Sequence, residues 1–68
     1  MSHIQSVIFD KKIWNTENSL EWLKSYHIIP LKKVHVTKNF LRFRIREPKY
    51  KHYVTKKLNN GIEIILGI

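Results

Sequence analysis

Hydrophobic residues occur along the chain with two different spacings, one typical of strands and one typical of a helix. Residues 4–9, IQSVIF, are short, apolar and rich in β-branched side chains, which predicts a first strand. Residues 14–30, WNTENSLEWLKSYHIIP, show the helical spacing instead. Asn15 or Thr16 can cap this helix, and Pro30 closes the segment. A helix of about 11 residues is too short to be stable alone, so we expect it to pack against a sheet.

Beyond Pro30 the apolar positions recur at every second residue, which is the period of a strand. They are even-numbered in residues 34–36 and odd-numbered in residues 41–45, so the inward face must switch at a turn or bulge. Pro48 predicts a second turn, and Asn60-Gly61 predicts a tight hairpin turn in which both residues have positive φ. The predicted strands cover residues 34–36, 40–46, 50–58 and 62–68, with turns at 37–39, 47–49 and 60–61.

These elements predict an α+β fold in which β-α is followed by three or four antiparallel strands. One short helix packs on one face of an antiparallel meander sheet, in a single domain that spans residues 1–68. One helix cannot cover both faces of a sheet of four or five strands. The opposite face is therefore expected to be accessible to a partner.

The composition limits what such a domain can do. A chain of 68 residues buries only about 60% of the surface that its unfolded form exposes, so function is expected on the surface and not in a roomy internal site. The sequence has no cysteine, which excludes disulfides and thiolate zinc sites. The apolar runs are far shorter than the roughly 20 residues of a membrane span, and the first residues do not resemble a secretory signal. We therefore expect an intracellular, soluble protein with no membrane partner.

The charge of the chain is strongly positive and regional. Lys and Arg number 13 against 5 Asp and Glu, a net charge of +8. Residues 32–57 contain ten of the cations and a single acid, Glu47, so this segment carries +9. Such a local excess attracts polyanions, of which nucleic acid is the commonest, although anionic membranes and acidic protein segments compete for the same attraction.

The strand predicted at residues 40–46 places three arginines on one face. Leu41, Phe43 and Ile45 point one way, whereas Phe40 and the arginines point the other. Arginine suits phosphate because its planar fork donates two hydrogen bonds at once, and aromatic residues among the cations favour base stacking. The same pattern is also typical of a solvated strand face that needs no ligand. The residues predicted to bind nucleic acid, DNA or RNA, are Arg42, Arg44, Arg46, Lys38, Lys49, Lys51, Lys57, Tyr53 and Phe40.

Catalysis and metal binding find little support in the sequence. The four histidines are separated by 24, 8 and 17 residues, which matches no zinc pattern, so no metal or other cofactor is expected. The five acids are scattered, and no serine has the context of a nucleophile elbow, so we predict that the protein is not an enzyme. A nuclease site that uses Glu47 or Asp10 is a minor alternative.

Two features favour a protein partner. Trp22 and Tyr26 lie beside the stripe formed by Leu20 and Leu23 on the predicted helix, and an exposed tryptophan would mark a contact with another chain. In this alternative the protein is an interaction module that docks on an acidic protein surface. The predicted C-terminal strand, IEIILGI, would also offer an exposed edge through which two copies could form a homodimer.

Four segments carry a resemblance that spans nearly the whole chain. They are SVIFDKKIW, SLEWLKSYHI, TKNFLRFRIREP and TKKLNNGIEIILG. Together they resemble a small uncharacterised domain encoded by large DNA viruses of eukaryotes and by tailed phages, except that Ile45 stands where family members commonly have a glutamine-like residue. The resemblance implies a viral origin and a role at the genome or in virion assembly, in the host cytoplasm or nucleus or within the virion. It does not name an activity.

Overall fold

A computed structural model of the protein describes residues 2–68, which form one α-helix and five antiparallel strands. The elements are β1 (His3–Asp10), α1 (Thr16–Ser25), β2 (His35–Val36), β3 (Phe40–Arg44), β4 (Tyr53–Lys57) and β5 (Ile62–Gly67). Across the sheet the strand order is β2-β3-β1-β5-β4. The predicted α+β fold, with one short helix and an antiparallel sheet, is confirmed. Within residues 2–68 no helix is both long and apolar enough to span a membrane.

Helix α1 is capped at both ends. The side chain of Asn15, one of the two predicted caps, accepts a hydrogen bond from the backbone N–H of Asn18 at 2.8 Å. At the other end His27 has the left-handed conformation, with φ 58°, and the N–H of Ile28 donates to the carbonyl of Leu23 at 2.9 Å. This Schellman-type ending turns the chain back toward the sheet and packs Ile28 against the core.

The hydrophobic core lies between α1 and one face of the sheet. Phe9 on β1 is fully buried and lies at the centre of an aromatic group. Its ring contacts those of Trp14, Trp22 and Phe43 edge-on, with ring centres 5.2, 5.7 and 5.5 Å apart respectively. The buried apolar residues are Val7, Phe9, Leu23, Leu41, Phe43 and Ile62.

The strand order differs from the predicted meander at one connection. β2 pairs with β3 and β4 pairs with β5, but β3 and β4 are separated by β1 and β5. β1 contains the most buried residues of any strand, which suits a central position, whereas all five residues of β4 are exposed, which suits an outer one. Residues 45–52 therefore cross the ends of two strands. The predicted strands at residues 40–46 and 50–58 are therefore not neighbours in the sheet.

The position of β5 corrects a second expectation. The C-terminal strand lies inside the sheet, hydrogen-bonded to β1 on one side and to β4 on the other. The prediction that it offers a free edge for a homodimer is therefore wrong. The outer strands of the described sheet are β2, which has two residues, and β4, which has five.

The turn before β5 lies where the sequence predicts it, but its type differs. The N–H of Leu58 donates to the carbonyl of Ile62 at 2.8 Å, which leaves a loop of three residues, 59–61. Within this loop only Gly61 has positive φ, at 77°. The expectation of positive φ at both Asn60 and Gly61 is wrong, because a three-residue hairpin loop needs a left-handed residue only at its end.

Candidate nucleic-acid interface

The sheet has one face that packs on α1 and one face that points away from it, which we call the open face. Residues paired across neighbouring strands share a face. Val7 and Phe43 are paired and buried on the α1 side, whereas Ser6 and Arg44, one position along each strand, are paired on the opposite side. The register places these residues on the open face: His35, Phe40, Arg42, Arg44, Ser6, Ile8, Asp10, Glu63, Ile65, Gly67, Tyr53, Thr55 and Lys57.

One recess on the open face is lined by basic side chains from the loop before β2, from β2 and from β3. We call it the basic recess, and its residues are Lys32, Lys33, His35, Arg42 and Arg44. Its volume is about 200 Å³, below the roughly 300–1,000 Å³ of pockets that hold drug-sized ligands. The size and charge of the basic recess suit a compact anionic group such as a phosphate.

Backbone hydrogen bonds hold the segments of the basic recess together. The N–H of Leu31 donates to the carbonyl of Arg44 at 2.8 Å, which attaches the loop after α1 to the same edge of β3 as β2. The β2–β3 turn is closed by a 2.8 Å bond from the N–H of Thr37 to the carbonyl of Phe40 and by two 3.0 Å bonds of the Thr37 hydroxyl. The basic side chains are therefore brought together by the fold before any ligand is bound.

Arg42 and Arg44 are the two predicted residues that the structure brings together. They lie two positions apart on β3, nearly 7 Å along the strand, and both are exposed between buried neighbours. Within residues 2–68 the one ion pair joins Lys57 to Glu63 at 3.9 Å, so neither guanidinium is neutralised by an acid of the described chain. Both remain able to bind an external anion.

The acidic side chains near the open face lie away from the basic recess. Glu63 is on β5, two strands from β3, and contacts Lys57. Asp10, at the end of β1, accepts a hydrogen bond from the backbone N–H of Lys12 at 2.9 Å. β4 is three strand spacings, about 14 Å, from β3, so Lys57 does not extend the basic recess. Positive charge is concentrated at the β2–β3 edge instead of being spread over the sheet.

Arg46 does not continue the predicted row of arginines. β3 ends at Arg44, and β1 has a register shift next to Gln5, whose carbonyl accepts hydrogen bonds from the N–H groups of Ile45 at 2.8 Å and Arg46 at 3.2 Å. Such a bulge changes the direction of the side chains around it. Arg46 lines a separate recess together with residues 27–29, which follow α1. The prediction of three aligned guanidinium groups is therefore wrong for this residue.

Four other predicted residues lie near the basic recess in sequence but do not line it. Lys38 is in the β2–β3 turn, and Phe40, which is 40% exposed, begins β3 opposite Asp10. Lys49 and Lys51 are exposed in the long connection between β3 and β4. The three lysines add to the positive field of the segment without converging on one point.

Tyr53 belongs to an aromatic cluster at the other side of the open face. The rings of His3 and Tyr50 stack with their centres 5.8 Å apart, and Tyr50 meets Tyr53 edge-on at 6.2 Å. Gly67 lies directly beneath Tyr50, because a Cβ atom built on Gly67 would overlap three carbons of that ring. Tyr53 is 43% exposed and pairs with Gly67 in the register. Its ring therefore presents apolar surface to solvent on the open face.

The residues predicted for a protein partner lie on the α1 side. Trp22 is half-buried because its ring packs against the core and also against the ring of Tyr26, with centres 4.6 Å apart. Tyr26 is 62% exposed. The helix buries Ser19 and Leu23, whereas Leu20 is 44% exposed, so the two leucines of the predicted stripe do not both pack on the sheet.

The acids considered for a nuclease do not converge. Asp10 pairs with the first residue of β3, whereas Glu47 follows three positions after its last residue. The five residues of β3 span about 13 Å, so these carboxylates lie near opposite ends of the sheet. Among residues 2–68, no three His, Asp or Glu side chains are grouped so that they could hold a metal ion.

The sequence prediction missed three members of the basic recess, which are Lys32, Lys33 and His35. A signal for two of them was present, because positions 33 and 35 are polar and alternate with the apolar Val34 and Val36, as expected of a strand with one wet face. His35 lies opposite Arg42 across the β2–β3 hairpin, so the predicted turn at residues 37–39 already pointed to its position. The closeness of Lys32 and Lys33 to the arginines depends on the Leu31–Arg44 hydrogen bond, which no local pattern reveals.

No family model, curated protein or solved structure matches the chain. The resemblance to viral and phage domains therefore stays a prediction from the sequence. A function for this protein is best supported by the geometry and charge of the basic recess and the open face.

Proposed function

We propose that the protein is a non-catalytic nucleic-acid-binding protein that contacts the phosphate backbone through the open face of its sheet. The observation that supports this most directly is the basic recess, in which five basic side chains surround one space of about 200 Å³. Its arginines suit phosphate because each guanidinium can donate two parallel hydrogen bonds, while the lysines add mobile point charges. The net charge of +8 supplies a long-range attraction to DNA or RNA.

The remainder of the open face favours single-stranded nucleic acid over duplex. A single nucleic-acid strand that runs from the basic recess across the open face toward β4 passes Ile8 and Ile65, which are half-buried and apolar. It then reaches the exposed ring of Tyr53. Apolar and aromatic surface suits the faces of unpaired bases, and stacking of one base on an aromatic ring is worth about 1–3 kcal/mol. In a duplex the bases are already stacked and cannot use this surface.

A viral role is part of the same proposal. If the chain is virus-encoded, as the sequence resemblance implies, its nucleic-acid partner is the viral genome or its transcripts. Binding would then take place in the host cytoplasm or nucleus, or within the virion. Backbone contacts carry no sequence information, so we expect little preference among sequences.

Fluorescence anisotropy with a single strand of DNA, the matching duplex and the matching RNA tests the proposal. At physiological salt we expect dissociation constants of about 10⁻⁴ to 10⁻⁶ M, with the single strands bound more tightly than the duplex. Because binding releases counterions, the logarithm of the binding constant for a single strand should fall linearly with the logarithm of the salt concentration. The expected slope is about −0.7 for each phosphate contacted. Binding that does not change with salt would contradict phosphate contact.

A protein-interaction or virion structural module that docks on an acidic protein surface is the second candidate. It is favoured by apolar side chains exposed beside α1, where Tyr26 is 62% and Ile29 is 81% exposed. Such a module would bind nucleic acid only at low salt, whereas its complex with one acidic partner would be weakened by salt but held together by the apolar contacts. That complex should depend on Tyr26 and Ile29 more than on Arg42, which distinguishes the two candidates.

A further inference from the structure

We infer that β4 is a self-association edge through which two copies of the chain join their sheets. This inference goes beyond nucleic-acid binding and uses the edge of the sheet that lies farthest from the basic recess. β4 is the longer of the two outer strands of the described sheet, contains no proline and has five exposed residues. An outer strand of this kind carries a row of backbone N–H and C=O groups without partners in the sheet.

The hydrogen bonds at the two ends of β4 identify which groups point outward. His52 and Ile68 exchange two hydrogen bonds, of 3.5 and 2.9 Å, and the N–H of Leu58 donates to Ile62 at 2.8 Å. Hydrogen-bonded pairs alternate with non-hydrogen-bonded pairs in an antiparallel ladder. The even-numbered residues of β4 therefore direct their backbone groups toward β5, and the odd-numbered residues direct theirs outward. The outward residues are Tyr53, Thr55 and Lys57.

An antiparallel pair of β4 strands centred on Thr55 provides partners for all of these outward groups. Thr55 then pairs with Thr55 of the second copy, and Tyr53 pairs with Lys57, with two hydrogen bonds for each pair. Moving the register by two residues leaves either Tyr53 or Lys57 of each copy without a partner on β4. The symmetric register therefore forms the most hydrogen bonds. Each copy uses the same edge to contact the other, so the assembly ends at two copies and gives a dimer and not a fibre.

The side chains that meet in this register are compatible. On the open face the ammonium group of Lys57 meets the ring of Tyr53, which is 43% exposed, and threonine meets threonine. On the α1 side Val54, which is 47% exposed, meets Lys56, whose aliphatic stem can cover it. Like charges are not directly opposite one another. A second copy of the same chain is therefore a fitting occupant of this edge.

Charge repulsion between the two copies opposes the dimer. Each copy carries +8, and the two Lys56 side chains are diagonal neighbours across the pair. Salt screens this repulsion, so added salt should strengthen the dimer. Salt has the opposite effect on phosphate binding, so the two activities can be measured separately. In the dimer the two open faces form one surface with a basic recess near each outer edge, which would raise the affinity for long strands by avidity.

Light scattering on the wild type and on Thr55→Pro gives the first test. The N–H of Thr55 points outward, so proline removes an edge donor while the bonds between β4 and β5 stay intact. At about 1 mM protein and high salt we expect the wild type to have about 1.5 to 2 times the mass of the variant, if the dimer dissociation constant is about 10⁻³ M or lower. A monomeric wild type under these conditions would overturn the inference.

Introduced cysteines give a second test that does not depend on the folding of the proline variant. The chain has no cysteine of its own. In the proposed register Val54 lies opposite Lys56 of the second copy at about 4.5 Å between Cα atoms, which permits a disulfide, whereas two Val54 residues are about 8 Å apart, which does not. A mixture of Val54→Cys and Lys56→Cys should therefore cross-link about tenfold faster than either variant alone. Equal rates would overturn the register.

Discussion

Replacing Arg42 and Arg44 together by glutamine is expected to weaken the binding of single-stranded nucleic acid about 20-fold at 0.15 M salt. Each lost phosphate contact removes about 0.7–0.9 of a released counterion, and at this salt that corresponds to a four- to fivefold change in the binding constant. Two contacts together give the expected factor. The fold should be unchanged, because both side chains are exposed on β3. Fluorescence anisotropy measures the affinity, and circular dichroism checks the fold.

A matched change of charge elsewhere separates the basic recess from the net charge. Lys12→Gln with Lys24→Gln removes the same two charges outside the segment of residues 32–57. Screening limits the reach of exposed charges to about 8 Å at physiological salt, so we expect this pair to change the affinity less than about threefold. Equal losses for the two double variants would mean that net charge alone decides the affinity.

Replacing Gly67 by alanine is expected to lower the free energy of unfolding by about 2 kcal/mol. A Cβ atom at this position would overlap the ring of Tyr50, and overpacking of this kind typically costs about 1–3 kcal/mol. A domain of this size has a total stability of roughly 3–10 kcal/mol, so the loss is large. The displaced Tyr50 would also lose its stacking on His3. Urea unfolding measures the effect.

The same change in a Tyr50→Ala background identifies the cause of the loss. Gly67 does not have positive φ, so alanine meets no conformational obstacle once the ring is gone. Alanine also has less freedom than glycine in the unfolded chain, so Gly67→Ala should then be neutral or slightly stabilising. A coupling energy of about 2 kcal/mol between the two positions is expected from the double-mutant cycle. Equal costs in both backgrounds would show that Tyr50 is not what excludes a side chain at Gly67.

Local patterns were sufficient to predict the elements of the fold. The apolar, β-branched run at residues 4–9 became β1, and Asn15 became the cap of α1 because its side chain can accept a backbone hydrogen bond. The switch from even to odd apolar positions located the turn at residues 37–39 between β2 and β3. Each of these predictions uses interactions between residues close in sequence.

The strand order could not be predicted in the same way, because it depends on contacts between distant residues. Neighbouring strands in sequence often pair, but here β1 pairs with both β3 and β5 and occupies the middle of the sheet. The turn signal at Pro48 marks a bend in the chain and does not show which strand comes next in space. As a result the prediction placed Lys57 and Tyr53 beside the arginines, whereas they lie about three strands away.

The candidate site was predicted in part, for a related reason. Arg42 and Arg44 follow from the alternation of β3, whose buried partners Leu41 and Phe43 fix the outward direction of the arginines. Arg46 was misplaced because the bulge at Gln5 lies on a different strand, 41 positions earlier in the chain. The rest of the basic recess comes from β2 and from the loop before it, which α1 and its left-handed ending direct to the edge of β3.

The most direct test of the central claim, that nucleic acid binds at the basic recess on the open face, is a titration of ¹⁵N-labelled protein with a single-stranded oligonucleotide. Amide chemical shifts report where the ligand lies. We expect the largest shifts at residues 32–35 and 41–45, with smaller ones around Tyr53. Shifts confined to residues 20–29, beside α1, would contradict the claim and favour the alternative surface.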